Sequence, residues 1–376
     1  MLAALFTSGA LCASAKDYHY TTVPGDAMQT RIYTLDNGLK VYMSVNKEKP
    51  RLQVNIAVKT GSRNDPAETT GLAHYLEHLM FKGTKKFGTI DAAKEKPYLD
   101  EITRRYETYR KLTDPAQRKQ AYHEIDSISQ LAAKYNIPNE YDKLMSSIGS
   151  EGTNAYTSND VTCYVENIPN NEIENWAKVQ SDRFQNMVIR GFHTELEAVY
   201  EEKNISMASD ATKEFAALWS LLTPTHPYGT QTTIGEQEHL KNPSIINIQN
   251  YFHRYYVPNN VAIVMAGDFD PDKTIALIDQ YFGSWKKSDN LDESGVVVQT
   301  IVEGSCRGEF HLLFQVYLEE SCLAVGEQVA DDIEGVVLLV VDALEEPCQH
   351  HVFLLLTNNR GVLYCCDGRL CLELRA

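Results

Sequence analysis

The feature that most constrains this chain is the run His74-Tyr75-Leu76-Glu77-His78. Two histidines four residues apart lie on one face of an α-helix, one turn apart, so we expect a helix here. Two imidazoles in that arrangement can share one tetrahedral Zn²⁺. Glu77 reaches the edge of the same face without being a ligand, which is where a general base must lie to take a proton from water at a metal. The alternative is a helix with two surface histidines.

A third metal ligand is expected in the acidic segment of residues 195–204, which is predicted to be helical. A catalytic zinc site needs a third protein ligand and an open position. Glu195 and Glu202 are seven residues apart, so they lie two turns apart along one helical face. Spacing alone does not separate Glu202 from Glu201 as the ligand. An acidic helix whose glutamates only face solvent is the alternative.

Apolar periodicity and turn signals predict a mixed α/β domain over residues 28–287. The first two strands are expected at residues 30–35 and 39–45, joined at Asn37-Gly38, because Asn-Gly is the strongest short hairpin signal. Further strands are predicted at residues 52–58, 154–157, 161–168 and 261–266, and helices at residues 171–187, 194–208, 212–222, 243–256 and 270–282.

A charged segment from about residue 95 to 135 interrupts this pattern and predicts two helices. Asp114 and Pro115 fit the cap and the first turn of the second helix. We interpret the pair as a solvent-exposed helical hairpin, inserted into the domain for structural reasons and without a convergent catalytic set.

The character of the sequence changes at residue 288. No lysine occurs from there to Ala376, and six of the eight cysteines lie in this stretch without a paired zinc-ribbon spacing. We interpret residues 288–376 as an unrelated tail that arose from a frameshift, a gene-model error or a fusion. A genuine small β domain is the alternative.

The net charge of the chain and its first fifteen residues indicate which partners and which location to expect. Residues 1–15 have no charged side chain and end in a small-x-small cleavage pattern, so they predict a secretory signal peptide that is truncated at its charged n-region. A buried apolar strand is the alternative. The formal net charge of −16 argues against nucleic acid as a partner. No later stretch reaches the roughly 18–20 apolar residues that span a bilayer.

Residues 71–84 resemble the signature of the pitrilysin/insulinase family of zinc metallopeptidases, whose histidines and glutamate follow the H-x-x-E-H order of inverzincins. Residues 35–39, 152–157, 195–204, 226–229, 256–260 and 267–269 resemble further family segments in the family's order. The resemblance covers roughly residues 30–285. It implies the N-terminal half of a bacterial, exported member.

This resemblance implies roles for individual residues. The ligands of one Zn²⁺ ion are His74, His78 and Glu202. Glu77 activates the water, and Glu195 supports the site as a second acidic residue behind the ligands. The implied fold is a mixed, mainly antiparallel sheet with helices packed on one face.

The resemblance also implies a substrate and a partner. Asn154 and Ala155 fall on the strand that pairs with an extended peptide through main-chain hydrogen bonds. The implied activity is zinc-dependent endoproteolysis of peptides or unfolded segments, in the periplasm or outside a bacterial cell. The family builds its active chamber from two homologous halves, and nothing after Lys287 resembles the second. The alternative function is therefore a truncated or non-catalytic peptide-binding half that needs a partner subunit.

Overall fold

The computed structural model describes residues 16–289, 291, 337–345, 348–357, 360–365 and 372–373. These residues belong to two compact units, of which the first contains residues 16–289. The signal-peptide prediction for residues 1–15 and most of the predicted tail lie outside the described residues. The boundary at residue 287 stays a prediction.

The first unit is built on a seven-stranded sheet with the order β1-β2-β3-β7-β4-β6-β5. The strands are β1 (Tyr20–Thr21), β2 (Arg31–Thr34), β3 (Lys40–Val45), β4 (Arg51–Val58), β5 (Glu151–Thr157), β6 (Thr162–Pro169) and β7 (Val261–Gly267). β3 and β7 pair in parallel, and the other neighbours are antiparallel. The expected mixed, mainly antiparallel sheet is confirmed.

One face of this sheet forms the core. In β4, buried and half-buried residues alternate along the whole strand, as expected when successive side chains point to opposite faces. The buried set is Leu52, Val54, Ile56 and Val58. In β7, Ile263 and Met265 are also buried. The central strands therefore fix a common apolar surface on which helices pack.

Eleven helices are present in the described residues of the first unit. They are α1 (Leu72–Leu79), α2 (Ala92–Tyr109), α3 (Pro115–Ala133), α4 (Glu140–Ser147), α5 (Ile173–Asn186), α6 (Phe192–Met207), α7 (Asp210–Leu222), α8 (Pro227–Thr230), α9 (Gln237–Leu240), α10 (Ile245–Tyr255) and α11 (Pro271–Phe282). The predicted helices match α1, α2, α3, α5, α6, α7, α10 and α11 within a few residues.

The turn between β2 and β3 differs in detail from the expected two-residue turn. Gly38 has a positive φ of 87°, whereas Asn37 does not belong to the described residues with positive φ. The Gly38 N–H donates to the Leu35 carbonyl at 2.8 Å, which fits a three-residue loop that ends in one left-handed glycine. The Asn37 side chain instead donates to the carbonyl of Phe282 at 2.8 Å and so ties the turn to the end of α11.

The inserted hairpin, α2 and α3, is less exposed than the sequence pattern suggested. Asp114 accepts a hydrogen bond from the Gln117 N–H at 2.8 Å, as predicted for a cap. The inward face, however, is part of the hydrophobic core, and its buried side chains include Ile102, Tyr106, Tyr109, Ile125 and Ala132. The interpretation of a solvent-exposed hairpin is therefore wrong for this face, because its apolar side chains pack into the core.

The second unit contains four antiparallel strands in the order β11-β10-β9-β8. They are β8 (Val337–Glu345), β9 (Cys348–Thr357), β10 (Arg360–Cys365) and β11 (Leu372–Glu373). The origin of this tail stays a prediction. Within the described chain, no helix combines the length and the apolar character needed to cross a bilayer.

Candidate metal centre

Helix α1 begins in a tightly specified way. Gly71 precedes it with a φ of 83°, and a Cβ there would lie 2.7 Å from the Ile234 carbonyl oxygen. The Asp65 carboxylate accepts hydrogen bonds from the N–H groups of Gly71, Leu72 and Ala73 at 2.8–3.1 Å. These N–H groups have no partner inside the helix, so an upstream carboxylate satisfies the helix start.

The apolar residues of α1 decide which face the histidines occupy. Leu72, Ala73, Tyr75, Leu76 and Leu79 are buried in the core. His74, Glu77 and His78 consequently face a cavity on the other side of the helix. The ring centroids of His74 and His78 lie 4.8 Å apart, as expected for side chains one helical turn apart.

Helix α6 brings a carboxylate to both rings. Glu202 Oε2 lies 3.7 Å from His74 Nε2 and 3.5 Å from His78 Nε2. The three candidate ligand atoms all lie within 4.8 Å of one another. In a tetrahedral site with metal–ligand distances near 2.1 Å, ligand atoms lie roughly 3.4 Å apart. Glu201 instead accepts a hydrogen bond from Asn204, so it is Glu202 that approaches the histidines.

Glu195, two turns earlier on α6, contacts the other ring nitrogen of His78. Its Oε1 lies 2.9 Å from His78 Nδ1, and its Oε2 lies 2.5 Å from Lys82 Nζ. A carboxylate on Nδ1 fixes that nitrogen as the donor and leaves the Nε2 lone pair for a metal, an arrangement common to metal-binding histidines. Glu195 therefore orients His78.

Glu77 is buried between α1 and the edge strand β5. The Thr157 hydroxyl donates to Glu77 Oε2 at 2.5 Å. Burial raises the pKa of Glu77 above the ordinary range, and the hydrogen bond from Thr157 opposes this only in part. A carboxylate whose pKa is raised in this way is better suited to accept and release a proton near neutral pH.

The two histidines differ in their electrostatics. Burial and the neighbouring His78 ring lower the pKa of His74 to about 4, so its imidazole is neutral, as a ligand must be. Burial also lowers the pKa of His78, but the hydrogen bond and charge of Glu195 outweigh it, and the net shift is upward. Burial raises the pKa of Glu195, yet His78 and Lys82 together hold it below its ordinary value.

The donor set fits a zinc ion. Two imidazole nitrogens and one carboxylate oxygen match the catalytic type of site, in which a fourth position stays open. His74 Nδ1 is buried and has no hydrogen-bond partner among the described residues. His74 therefore lacks the carboxylate support that His78 receives.

Comparison with known proteins finds a family that the chain resembles. The profile Insulinase (Peptidase family M16) matches residues 40–96, which include α1 and its histidines. Over these residues the chain is similar to the insulinase family. A second profile of the family, Peptidase M16 inactive domain, matches residues 246–315 and thus continues beyond Lys287.

Individual proteins similar to this chain agree with the profile match. The uncharacterized zinc protease YmxG of Bacillus subtilis is 25% identical over 260 residues, which are 68% of this chain and 50% of YmxG. The mitochondrial-processing peptidase subunit beta of Neurospora crassa is 23% identical over 265 residues, 69% of this chain and 44% of the subunit. The crystal structure of pitrilysin matches the fold with a TM-score of 0.52 at 18% identity, over 72% of this chain and 25% of pitrilysin. The chain spans about half the length of the curated relatives it matches.

The candidate site opens into a cavity of 1410 Å³. Asn154 and Ala155 line this cavity, and both lie on β5, which is an edge of the described sheet. The structure thus brings all seven predicted site residues to one cavity. Sequence reasoning missed Thr157 and Lys82. The signal for Thr157 was its alternation with Ala155 in the same strand, since residues two apart share a face.

Proposed function

We propose that this chain is a zinc-dependent endopeptidase that hydrolyses peptides or unfolded protein segments. The observation that carries the proposal is the convergence of His74, His78 and Glu202, whose candidate ligand atoms lie within 4.8 Å of one another, with a buried carboxylate beside them. Several relatives are named zinc proteases, which supports the same metal and the same reaction.

A zinc ion in this site supplies a Lewis acid that polarises the scissile carbonyl and lowers the pKa of water. Glu77 takes the proton from the attacking water and passes it to the leaving amine. Its raised pKa suits this exchange, and the hydroxyl of Thr157 holds one of its oxygens in place. Glu195 keeps His78 in the tautomer that leaves Nε2 free.

The edge strand β5 is the proposed binding surface for the substrate backbone. β5 pairs with β6 on one side, where Asn154 is opposite Val165 and Ala155 is opposite Tyr164. Its other side has no strand partner among the described residues. An extended peptide can add there as a further strand, with main-chain hydrogen bonds that give affinity and little sequence preference.

The proposal is tested by Glu77→Gln, which keeps the shape of the side chain and removes the base. Turnover of an unfolded protein substrate should fall by about 10²–10⁴-fold or more, while the zinc content stays at one ion per chain. Glu201→Gln is the matched control, an equal change on the exposed side of α6, and should leave turnover unchanged. Undiminished turnover by Glu77→Gln would overturn the mechanism.

The second candidate is a peptide-binding half that needs a partner subunit or a second half for activity. It is favoured by the chain's coverage of only about half of its relatives, one of which is named a subunit. The purified chain is assayed alone, with and without a chelator. Full, chelator-sensitive activity of the chain alone would exclude dependence on a partner. Peptide binding without turnover would favour it.

We also propose that the protein acts in the periplasm or outside a bacterial cell, on the basis of the signal-like pattern of residues 1–15. Cell fractionation and N-terminal sequencing of the mature protein test this. Export predicts an N-terminus close to Lys16, and a retained Met1 in the cytoplasmic fraction would contradict it.

A further inference from the structure

The inserted hairpin of α2 and α3 is firmly anchored next to the metal centre. Arg190 and Glu95 form a buried, bidentate ion pair, with Nε–Oε1 at 2.6 Å and Nη2–Oε2 at 2.9 Å. Arg190 also donates to the carbonyls of Lys82 and Thr84, which directly follow the histidine helix. One arginine thus joins the start of α2 to the end of the segment that bears His78.

A second contact joins the hairpin to the helix that bears Glu202. The Tyr106 hydroxyl, on α2, lies 2.8 Å from His193 Nδ1 at the start of α6. The Tyr106 ring packs edge-on against Phe192 at 4.9 Å, and Phe192 packs against Tyr75 of α1 at 4.9 Å. The hairpin therefore contacts α6 directly and is linked to α1 through Phe192.

The face that the hairpin presents to the cavity combines apolar and polar side chains, and its charged side chains are paired. Its nonpolar lining side chains include Leu99, Ile102, Ala132 and Ala133. The charged side chains of the same face are paired, because Lys96 lies 2.6 Å from Asp100 and Glu95 is held by Arg190. A wall whose charges are already paired favours uncharged partners, since an unpaired charge placed against it loses hydration without gaining a counter-charge.

We propose that the hairpin is the specificity-determining wall of the substrate cavity and selects uncharged side chains of limited size. This rests on the proposed function, because the occupant is the peptide that reaches the metal centre in the same cavity. The cavity of 1410 Å³ exceeds the roughly 300–1,000 Å³ of small-molecule sites, which agrees with a polymeric occupant. Ala133 is exposed at the end of α3 and lines this cavity, so a larger side chain there would reduce its space.

The test is a pair of matched substitutions in α3. Ala133→Phe adds a ring inside the cavity, whereas Ala116→Phe adds the same ring on an exposed part of α3 that does not line it. Both are made in the Glu77→Gln background, so that binding is measured without cleavage. The probes are fluorescent decapeptides in which each position in turn is Ala, Leu, Trp or Lys, and the readout is fluorescence anisotropy.

The parent should bind the Leu and Trp peptides more tightly than the Lys peptide at one or more positions. Ala133→Phe should weaken the binding of peptides with Trp at that position by about tenfold or more and change the binding of peptides with Ala little. Ala116→Phe should bind all peptides as the parent does. Leu99→Ala, which enlarges the cavity, should shift the preference towards Trp. Identical binding profiles for Ala133→Phe and Ala116→Phe would overturn the proposal.

The parallel experiment with intact Glu77 separates this inference from the proposed function. If the wild-type chain cleaves none of the decapeptides, the endopeptidase proposal fails, and the binding profiles still test whether the hairpin selects the substrate. If it cleaves them and Ala133→Phe leaves the cleavage sites and rates unchanged, the hairpin does not select the substrate and the endopeptidase proposal stands.

Discussion

The metal centre and the inserted hairpin border one cavity, but they are held in different ways. The metal centre is built from helix spacing, four residues between His74 and His78 and seven between Glu195 and Glu202. The hairpin is held by contacts between residues far apart in sequence, such as Arg190 with Glu95. Residues that carry the chemistry can therefore lie close together in sequence, whereas the wall that limits access to them is held in place by tertiary contacts.

The largest effect is expected from breaking the hairpin's anchor. Arg190→Met keeps an unbranched apolar stem but leaves Glu95 buried without its partner, which should cost about 3–5 kcal/mol of unfolding free energy. The measurement is urea denaturation followed by circular dichroism. Because Arg190 also holds the Lys82 and Thr84 carbonyls, the zinc affinity should fall as well.

Lys96→Met is the control for this anchor. It breaks an exposed pair four residues apart on the same helix, between Lys96 and Asp100, which is worth only about 0.3–0.5 kcal/mol. Equal destabilisation by Arg190→Met and Lys96→Met would show that the hairpin is not anchored at Arg190.

A smaller effect is expected within the metal centre. Glu195→Gln removes the charge that orients His78 while its amide can still contact the ring. Loss of such a supporting carboxylate typically lowers metal affinity by about 10–100-fold. Competition with a chromophoric chelator measures the zinc affinity, and Glu197→Gln on the same helix is the control. An unchanged affinity in Glu195→Gln would remove the supporting role.

The smallest effect is a pH dependence at the contact between hairpin and α6. Burial lowers the pKa of His193, against the opposing charges of Glu197 and Asp126. The contribution of His193 to stability is therefore present above its unfolded pKa of about 6.5 and is lost as the pH falls below it. His193→Gln should reduce the loss of unfolding free energy between pH 7 and pH 5, measured by urea denaturation.

His123 provides the comparison for this pH effect, since it is exposed on α3. His123→Gln should leave the pH dependence as in the wild type. If His193→Gln and His123→Gln behave alike, the contact between the hairpin and α6 does not depend on a neutral His193.

The sequence indicated the elements whose signals are local. Asp114-Pro115 and Asp270-Pro271 predicted helix starts that the structure contains. Helix α4 was missed, although Tyr141, Leu144 and Met145 follow a helical period. The parallel pairing of β3 with β7 joins segments more than 200 residues apart, so no local pattern could have revealed it.

In the candidate site too, the residues set by local spacing were predictable, whereas those that depend on tertiary packing were not. His74, Glu77 and His78 follow from one turn of helix. Spacing could not choose between Glu201 and Glu202, because that choice depends on how α6 is rotated against α1. The contact of Thr157 with Glu77 and the inward face of the hairpin depend on tertiary packing, which charge patterning alone does not reveal.

The central claim is that His74, His78 and Glu202 hold one zinc ion. The most direct measurement is the zinc content of the purified wild-type chain, Glu202→Gln and Glu201→Gln by plasma mass spectrometry after exhaustive dialysis. We predict one zinc per chain in the wild type and in Glu201→Gln, and a large loss in Glu202→Gln. Full zinc content in Glu202→Gln, or none in the folded wild type, would contradict the claim.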